Sequence, residues 1–156
     1  MNKVNHLIMK IIIVGLLAIL PLMLSAQIQW ITDQQQVQQT VINFFEALSN
    51  RDSIELKNCA TPDIILLEYG SIWNMDTLIN KAITSNTAVD FKRTNQLEFV
   101  STLVRGKTAS AIYKLHSIIV RNGQSIHMYW LESVVAVQVK KSWKINVLHS
   151  TLLKRV

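Results

Sequence analysis

The apolar positions change period once along the chain, and that change divides it into two kinds of structure. Val37, Val41, Phe44 and Leu48 recur at helical spacing, which predicts one helical stripe through about residue 50. Thr32-Asp33-Gln34-Gln35 just ahead has the form of a capping box. Asp52-Ser53-Ile54-Glu55 starts a short second helix that carries Leu56 and Cys59 and stops at Pro62. Ile64 to Tyr69 is a short apolar strand closed by Gly70. Asn74 can cap a third helix with Leu78, Ile79, Ala82 and Ile83 on its inner side, and residues 85–90 are polar and read as a loop. From about Lys92 the period is two, with strands expected near 93–104, 108–121, 124–139 and 143–153. Helix, helix, strand, helix and a four-strand antiparallel meander make an α+β domain, with three helices packed on one face of a curved sheet.

The strand separators are short enough to fix register. Asn122-Gly123 between two alternating runs is a strong hairpin signal. A two-residue turn there pairs Arg121 with Gln124, and so Leu115 with Trp130, Tyr113 with Glu132, and Ala111 with Val134. The opposite face then carries His116 against Tyr129 and Ile118 against His127. For the last hairpin, a four-residue loop from Val139 to Ser142 pairs Gln138 with Trp143, Ala136 with Ile145, Val134 with Val147 and Glu132 with His149. A slip of one residue would send Glu132 and His149 to opposite faces.

Composition narrows the address more than the chemistry. Residues 1–26 combine Lys3 and Lys10, an uncharged apolar run of 14 residues from Ile11 to Leu24, and the small pair Ser25-Ala26. This is the layout of a secretory signal peptide, and the run is shorter than the ~20 residues of a spanning helix. An uncleaved membrane anchor is the alternative. The expectation is an exported, periplasmic or secreted domain over 27–156. Of the net charge of +6, two charges belong to the leader. Residues 27–100 then hold 5 basic and 9 acidic residues, and residues 101–156 hold 9 basic and 1 acidic. The late basic residues fall mostly at turns and strand ends, where they solvate sheet edges, so no nucleic-acid partner is expected. A single cysteine excludes an internal disulfide and a cysteine-based zinc site.

Three stretches resemble the nuclear transport factor 2-like superfamily, in particular its SnoaL-like small bacterial members. They are the helical Val41-Ile42-Asn43-Phe44-Phe45-Glu46-Ala47-Leu48 followed by Asp52, the Tyr69-Gly70 turn, and the ending Trp143-Lys144-Ile145-Asn146-Val147-Leu148-His149-Ser150. The ending is also similar to that of the association domain of calmodulin-dependent kinase. The resemblance implies a cone-shaped fold with a pocket between the concave sheet face and the helices. It also implies a homodimer that buries part of the convex face. Activities within the superfamily range from isomerases, cyclases and dehydratases to adaptors and oligomerisation hubs, so fold alone does not choose among them.

Glu132 is the only acid after residue 98 and lies in an apolar strand. A buried carboxylate must be paired or become neutral, which suits an acid–base group and equally a structural polar cluster. In the catalytic reading Glu132 is the acid or base, His149 orients it and Tyr113 donates to a bound carbonyl oxygen. Glu68, Tyr69 and Trp73 are expected at the pocket mouth, with Leu115 and Trp130 lining the wall. His116, His127 and Tyr129 form a second polar band, better explained by a dimer interface than by a metal. No motif for a metal, phosphate loop or dinucleotide is present, and no cofactor is expected. Three functions remain open: a binding domain for a small apolar or aromatic ligand, a cofactor-free isomerase, cyclase or dehydratase, and a structural dimerisation module.

Overall fold

The computed structural model describes residues 33–156. The expected leader and the capping threonine lie outside the described residues.

Helix α1 covers residues 33–50 and buries Val37, Val41, Phe44 and Leu48, the stripe that the spacing predicts. It ends with Arg51 in the left-handed region (φ 55°), where glycine is usual. The Asp52 amide donates to the Ala47 carbonyl at 2.9 Å and the Arg51 amide to Leu48 at 3.3 Å, which satisfies two terminal carbonyls. Asp52 then caps α2 (Ser53–Asn58), its carboxylate accepting from the amides of Ile54 and Glu55. One residue thus closes one helix and opens the next.

Strand β1 (Ala60–Glu68) turns through Tyr69 and Gly70 into a three-residue strand β2 (Ser71–Trp73) that the period did not announce. Both turn residues have positive φ, as a two-residue hairpin with the sheet's twist requires. Asn74 caps α3 (Met75–Ile79) as expected, its side chain accepting from the Thr77 amide. The helix continues into a wider π-helical turn, Asn80–Thr84, that sets Lys81 and Ala82 at the border of a cavity.

The long strands β3 (Lys92–Arg105), β4 (Thr108–Arg121), β5 (Gln124–Val139) and β6 (Ser142–Arg155) match the expected runs to within two residues at each end. The six-stranded sheet has the order β2-β1-β6-β5-β4-β3, antiparallel except for the β1–β6 pair. Extra residues interrupt the ladders in β3 between Phe99 and Ser101, and in β6 opposite Tyr129/Trp130 and Val135/Ala136. Bulges bend a strand and increase its twist, which curves these long strands around the helices. Gln34 and Gln38 of α1 donate to Thr102, and Asn95 of β3 donates to the Phe45 carbonyl and the Ser49 hydroxyl, tying α1 across the inner face. The core between them joins Phe44, Leu48, Leu66, Leu115, Ile145 and Leu148.

Two hairpins differ in how well the sequence anticipates them. Across β4–β5 every expected pair is observed, including Leu115 with Trp130, Tyr113 with Glu132 and Ala111 with Val134. Across β5–β6 the loop is tighter than expected. Lys140 and Lys141 alone form the turn, and Val139 pairs with Ser142. Gln138–Trp143 and Ala136–Ile145 are in the expected register, but Asn146 is an extra residue, so Val135 meets Val147. Beyond it Val134 pairs with Leu148, Ser133 with His149, and Glu132 with Ser150. The expected pairings of Val134 with Val147 and of Glu132 with His149 are therefore not formed. One bulge residue exchanges the faces of the residues from Val147 to Leu152, up to the second bulge.

Candidate functional site

The inner face of β5 carries Trp130, Glu132 and Val134 because successive side chains alternate. Glu132 is buried at a cavity of about 290 Å³ bounded by the sheet, α1 and the α3 region. Phe44, Leu66, Trp73, Leu78 and Trp130 give the cavity its apolar walls. Glu68 and Arg93 join Glu132 as its inner polar groups, while Lys81, Arg121 and Arg155 are exposed around its rim.

A single hydroxyl connects the two carboxyl groups. Ser150 Oγ lies 2.9 Å from Glu132 Oε1 and 2.6 Å from Glu68 Oε1. A hydroxyl carries one hydrogen and can donate to only one carboxylate. The second contact is a hydrogen bond only if that carboxyl is protonated and donates to Ser150. With both contacts bonded, the three oxygens hold two hydrogens, the hydroxyl's own and one acid proton. Burial, the largest influence, pushes Glu132 up to about 7; the bond from Ser150 and the neighbouring phenol of Tyr113 oppose this, Glu68 reinforces it and Arg93 opposes it. Glu68 is raised as well, again chiefly by burial, with Ser150, Arg93 and His149 pulling it down. A carboxyl poised near neutrality at the edge of an apolar cavity can both give and take a proton.

Tyr113 is fully buried behind Glu132, packed edge-on to Phe45 (ring centroids 6.1 Å apart) and tilted against Phe99 (5.5 Å). Its hydroxyl and Glu132 Oε2 influence each other's protonation, yet neither closes a hydrogen bond of ordinary geometry. Burial and the adjacent carboxyl hold the phenol well above its ordinary range, so it stays protonated. Tyr113 does not border the cavity. The expected donor to a bound oxygen is instead a neighbour of Glu132.

The other expected residues divide cleanly. Glu68, Tyr69, Trp73 and Trp130 border the cavity. Leu115, though opposite Trp130, is buried in the core and does not reach it. His149 is exposed on the other face and borders a neighbouring recess with Tyr69, Gly70 and Thr151, so it is not the group that orients Glu132. Ser150 takes that place. Arg93 was missed although the signal was available: it shares the odd-numbered inner face of β3 with Asn95, Leu97 and Phe99. Its Nε donates to Asn95 at 2.9 Å and its terminal nitrogen to Ser117 at 3.1 Å.

On the outer face His116 stacks on Tyr129, with centroids 4.2 Å apart and planes 5° from parallel. His116 Nε2 and His127 Nδ1 are 3.1 Å apart, so one of the two imidazoles donates to the other. Among the described residues no three His, Cys, Asp or Glu side chains converge as metal ligands.

The sequence matches no protein-family model and no curated protein. Solved structures do match. A nuclear transport factor 2-like protein from Salmonella enterica serovar Typhimurium is 22% identical, with a TM-score of 0.67 over 78% of this chain and 91% of that one. A ketosteroid isomerase-like protein from Erwinia carotovora atroseptica is 12% identical, with a TM-score of 0.64 over 78% of this chain and 97% of that one. The CaMKII hub of S. rosetta is 17% identical, with a TM-score of 0.63 over 76% and 95%. The chain has the nuclear transport factor 2-like fold that its sequence resembles. An isomerase-like protein and a kinase hub among the neighbours leave its function to be argued from the site.

Proposed function

We propose that the chain is an exported binding domain that encloses a small apolar or aromatic molecule in this cavity. The observation that carries the reading is a cavity with aromatic and aliphatic walls and a few convergent polar groups, the usual make-up of a small-molecule site. Trp73 and Trp130 both border it, so occupancy is readable as a change in tryptophan fluorescence. Titration with a panel of aromatic compounds should give saturable changes that Trp130→Phe diminishes. No saturable response to any member would defeat the proposal.

The Ser150-bridged pair favours a second reading, cofactor-free proton transfer next to a carbonyl, as in an isomerisation, cyclisation or dehydration. Glu132 exchanges the proton with the bound molecule, and Ser150 connects it to Glu68, which shares the charge. Glu132→Gln should abolish turnover of a substrate while leaving its binding within a few-fold. Unchanged turnover would leave the binding reading alone.

The outer face supports a homodimer. Ile65, Leu103, Ile112, Leu131 and Val135 are between 38% and 54% exposed there, beside the His116–Tyr129 stack. Sedimentation over a range of concentrations should show a dimer that Leu131→Glu dissociates. Export predicts a mature chain beginning at Gln27, which N-terminal sequencing of the secreted or periplasmic protein would read.

A further inference from the structure

Arg93 is the least explained charge in the molecule. Its side chain lies inside the cavity between Phe45 and Trp130, with the guanidinium carbon 5.6 Å and 5.9 Å from their ring centroids. Both groups that hold it, Asn95 and Ser117, are neutral, and Ser117 itself donates to the same Asn95 oxygen at 2.6 Å. The one ion pair among the described residues is Lys114–Glu98, elsewhere on the sheet. A guanidinium has five N–H groups in a planar fork, and two are used here. Burying a cation without a counter-ion is costly.

The two nearby carboxyls do not supply that counter-ion in full. Their bridging hydroxyl has one hydrogen, so one of them must be protonated for both contacts to be bonds. Even with both carboxyls ionised, Arg93 inside and Lys81, Arg121 and Arg155 at the rim outnumber them four to two. The cavity is thus apolar in its walls, cationic in its balance, and contains a guanidinium pre-set by two neutral hydrogen bonds.

We infer that the cavity selects a planar apolar molecule carrying a carboxylate, with the carboxylate paired to Arg93 and the ring stacked among Trp73, Phe91 and Trp130. This deepens the small-molecule reading and rests on it. A carboxylate matches the guanidinium fork in a two-bond geometry that a neutral polar group cannot reproduce. At about 290 Å³ the cavity is at the small end of ligand sites, which favours a single ring or a fused pair. The cationic rim draws an anion toward the mouth before it enters.

Matched acid and amide probes test this on the full chain: benzoate against benzamide, 2-naphthoate against 2-naphthamide, and indole-3-acetate against indole-3-acetamide, each by calorimetry at neutral pH. At least one acid should bind about tenfold or more tighter than its amide. Arg93→Gln should erase that preference and Arg93→Lys should retain part of it, with thermal unfolding confirming that each variant folds. If Arg93→Gln does not fold, the ratio in the unaltered protein still decides the carboxylate preference, and Arg93→Lys decides its assignment: a preference undiminished there overturns the pairing with Arg93. Amides that bind as well as acids overturn the carboxylate assignment and leave the pocket reading intact. If no acid or amide binds, both fall.

Discussion

The two hairpins that meet on β5 share a strand, yet only one obeys the arithmetic of its turn. Across β4–β5 the Asn122-Gly123 turn fixes all the pairs, from Arg121–Gln124 through Tyr113–Glu132 to Thr108–Val137. Across β5–β6 the Lys140-Lys141 turn fixes register only as far as Ala136–Ile145, where Asn146 enters as an extra residue. A turn propagates its register until the first bulge and no further. The chemistry of the site follows from that difference. The first hairpin delivers Tyr113 behind Glu132, and the second delivers Ser150, not His149, beside it.

The largest expected effect concerns Glu132, on the strand the two hairpins share. Its folded-state pKa of about 7 stands above the ordinary 4.5. Below pH 4.5 both folded and unfolded forms hold the proton, and the contribution to stability is fully present. Between 4.5 and 7 the unfolded chain gives up its proton first, and stability falls. The loss approaches something on the order of 3 kcal/mol above pH 7. Glu132→Gln is neutral throughout, so its stability relative to the parent should improve by that order between pH 4.5 and 8. Urea unfolding at several pH values would measure it, and a pH-independent difference would refute the assignment.

Next comes a direct comparison of adjacent residues. Ser150→Ala breaks two buried contacts to carboxyl groups and should cost about 2 kcal/mol. His149→Ala, on an exposed side chain, should stay within about 0.5 kcal/mol. If the costs were reversed, the bulged register would be wrong. The same pair of variants separates function: Ser150→Ala should move the titration of Glu132 upward, because the bond from Ser150 lowers it.

Smaller effects belong to the turn and the buried phenol. Lys140 and Lys141 both sit at positive φ (48° and 71°), where a side chain is strained. Lys141→Gly should therefore stabilise the protein by up to about 1 kcal/mol, seen as a higher melting temperature. Tyr113→Phe removes a buried hydroxyl that has no closed hydrogen bond, and should change stability by less than about 1 kcal/mol. A loss well above that would mean that the phenol donates to Glu132 after all.

What the sequence made legible follows the same division. Helical and two-residue periods place α1 and all four long strands, because the buried stripe and the alternating face are written residue by residue. β2 is too short for a period to register. The π-helical turn leaves the apolar pattern of Leu78, Ile79, Ala82 and Ile83 unchanged, so nothing distinguishes it from an α-helix in advance. Within the site, Glu132, Glu68, Tyr69, Trp73 and Trp130 were found because they sit on regular strands or at a recognisable turn. Ser150 was hidden by Asn146, whose only trace is that Val147 and Leu148 are both apolar where alternation demands one polar residue. Arg93 was overlooked, although its parity with Phe99 placed it on the inner face from the start.

The contacts of Ser150 also differ in the length of chain each must close. Its partner Glu132 is 18 residues away and comes with the β5–β6 hairpin, whereas Glu68 is 82 residues away and comes with the parallel β1–β6 pair. Contacts across long loops carry the larger entropic cost and tend to form late. The meander can thus assemble half of the proton-sharing pair by itself, and only the docking of β1 supplies the other half. A refolding chain would acquire its meander before it acquires Glu68, so the Ser150–Glu68 contact would mark the docking of β1.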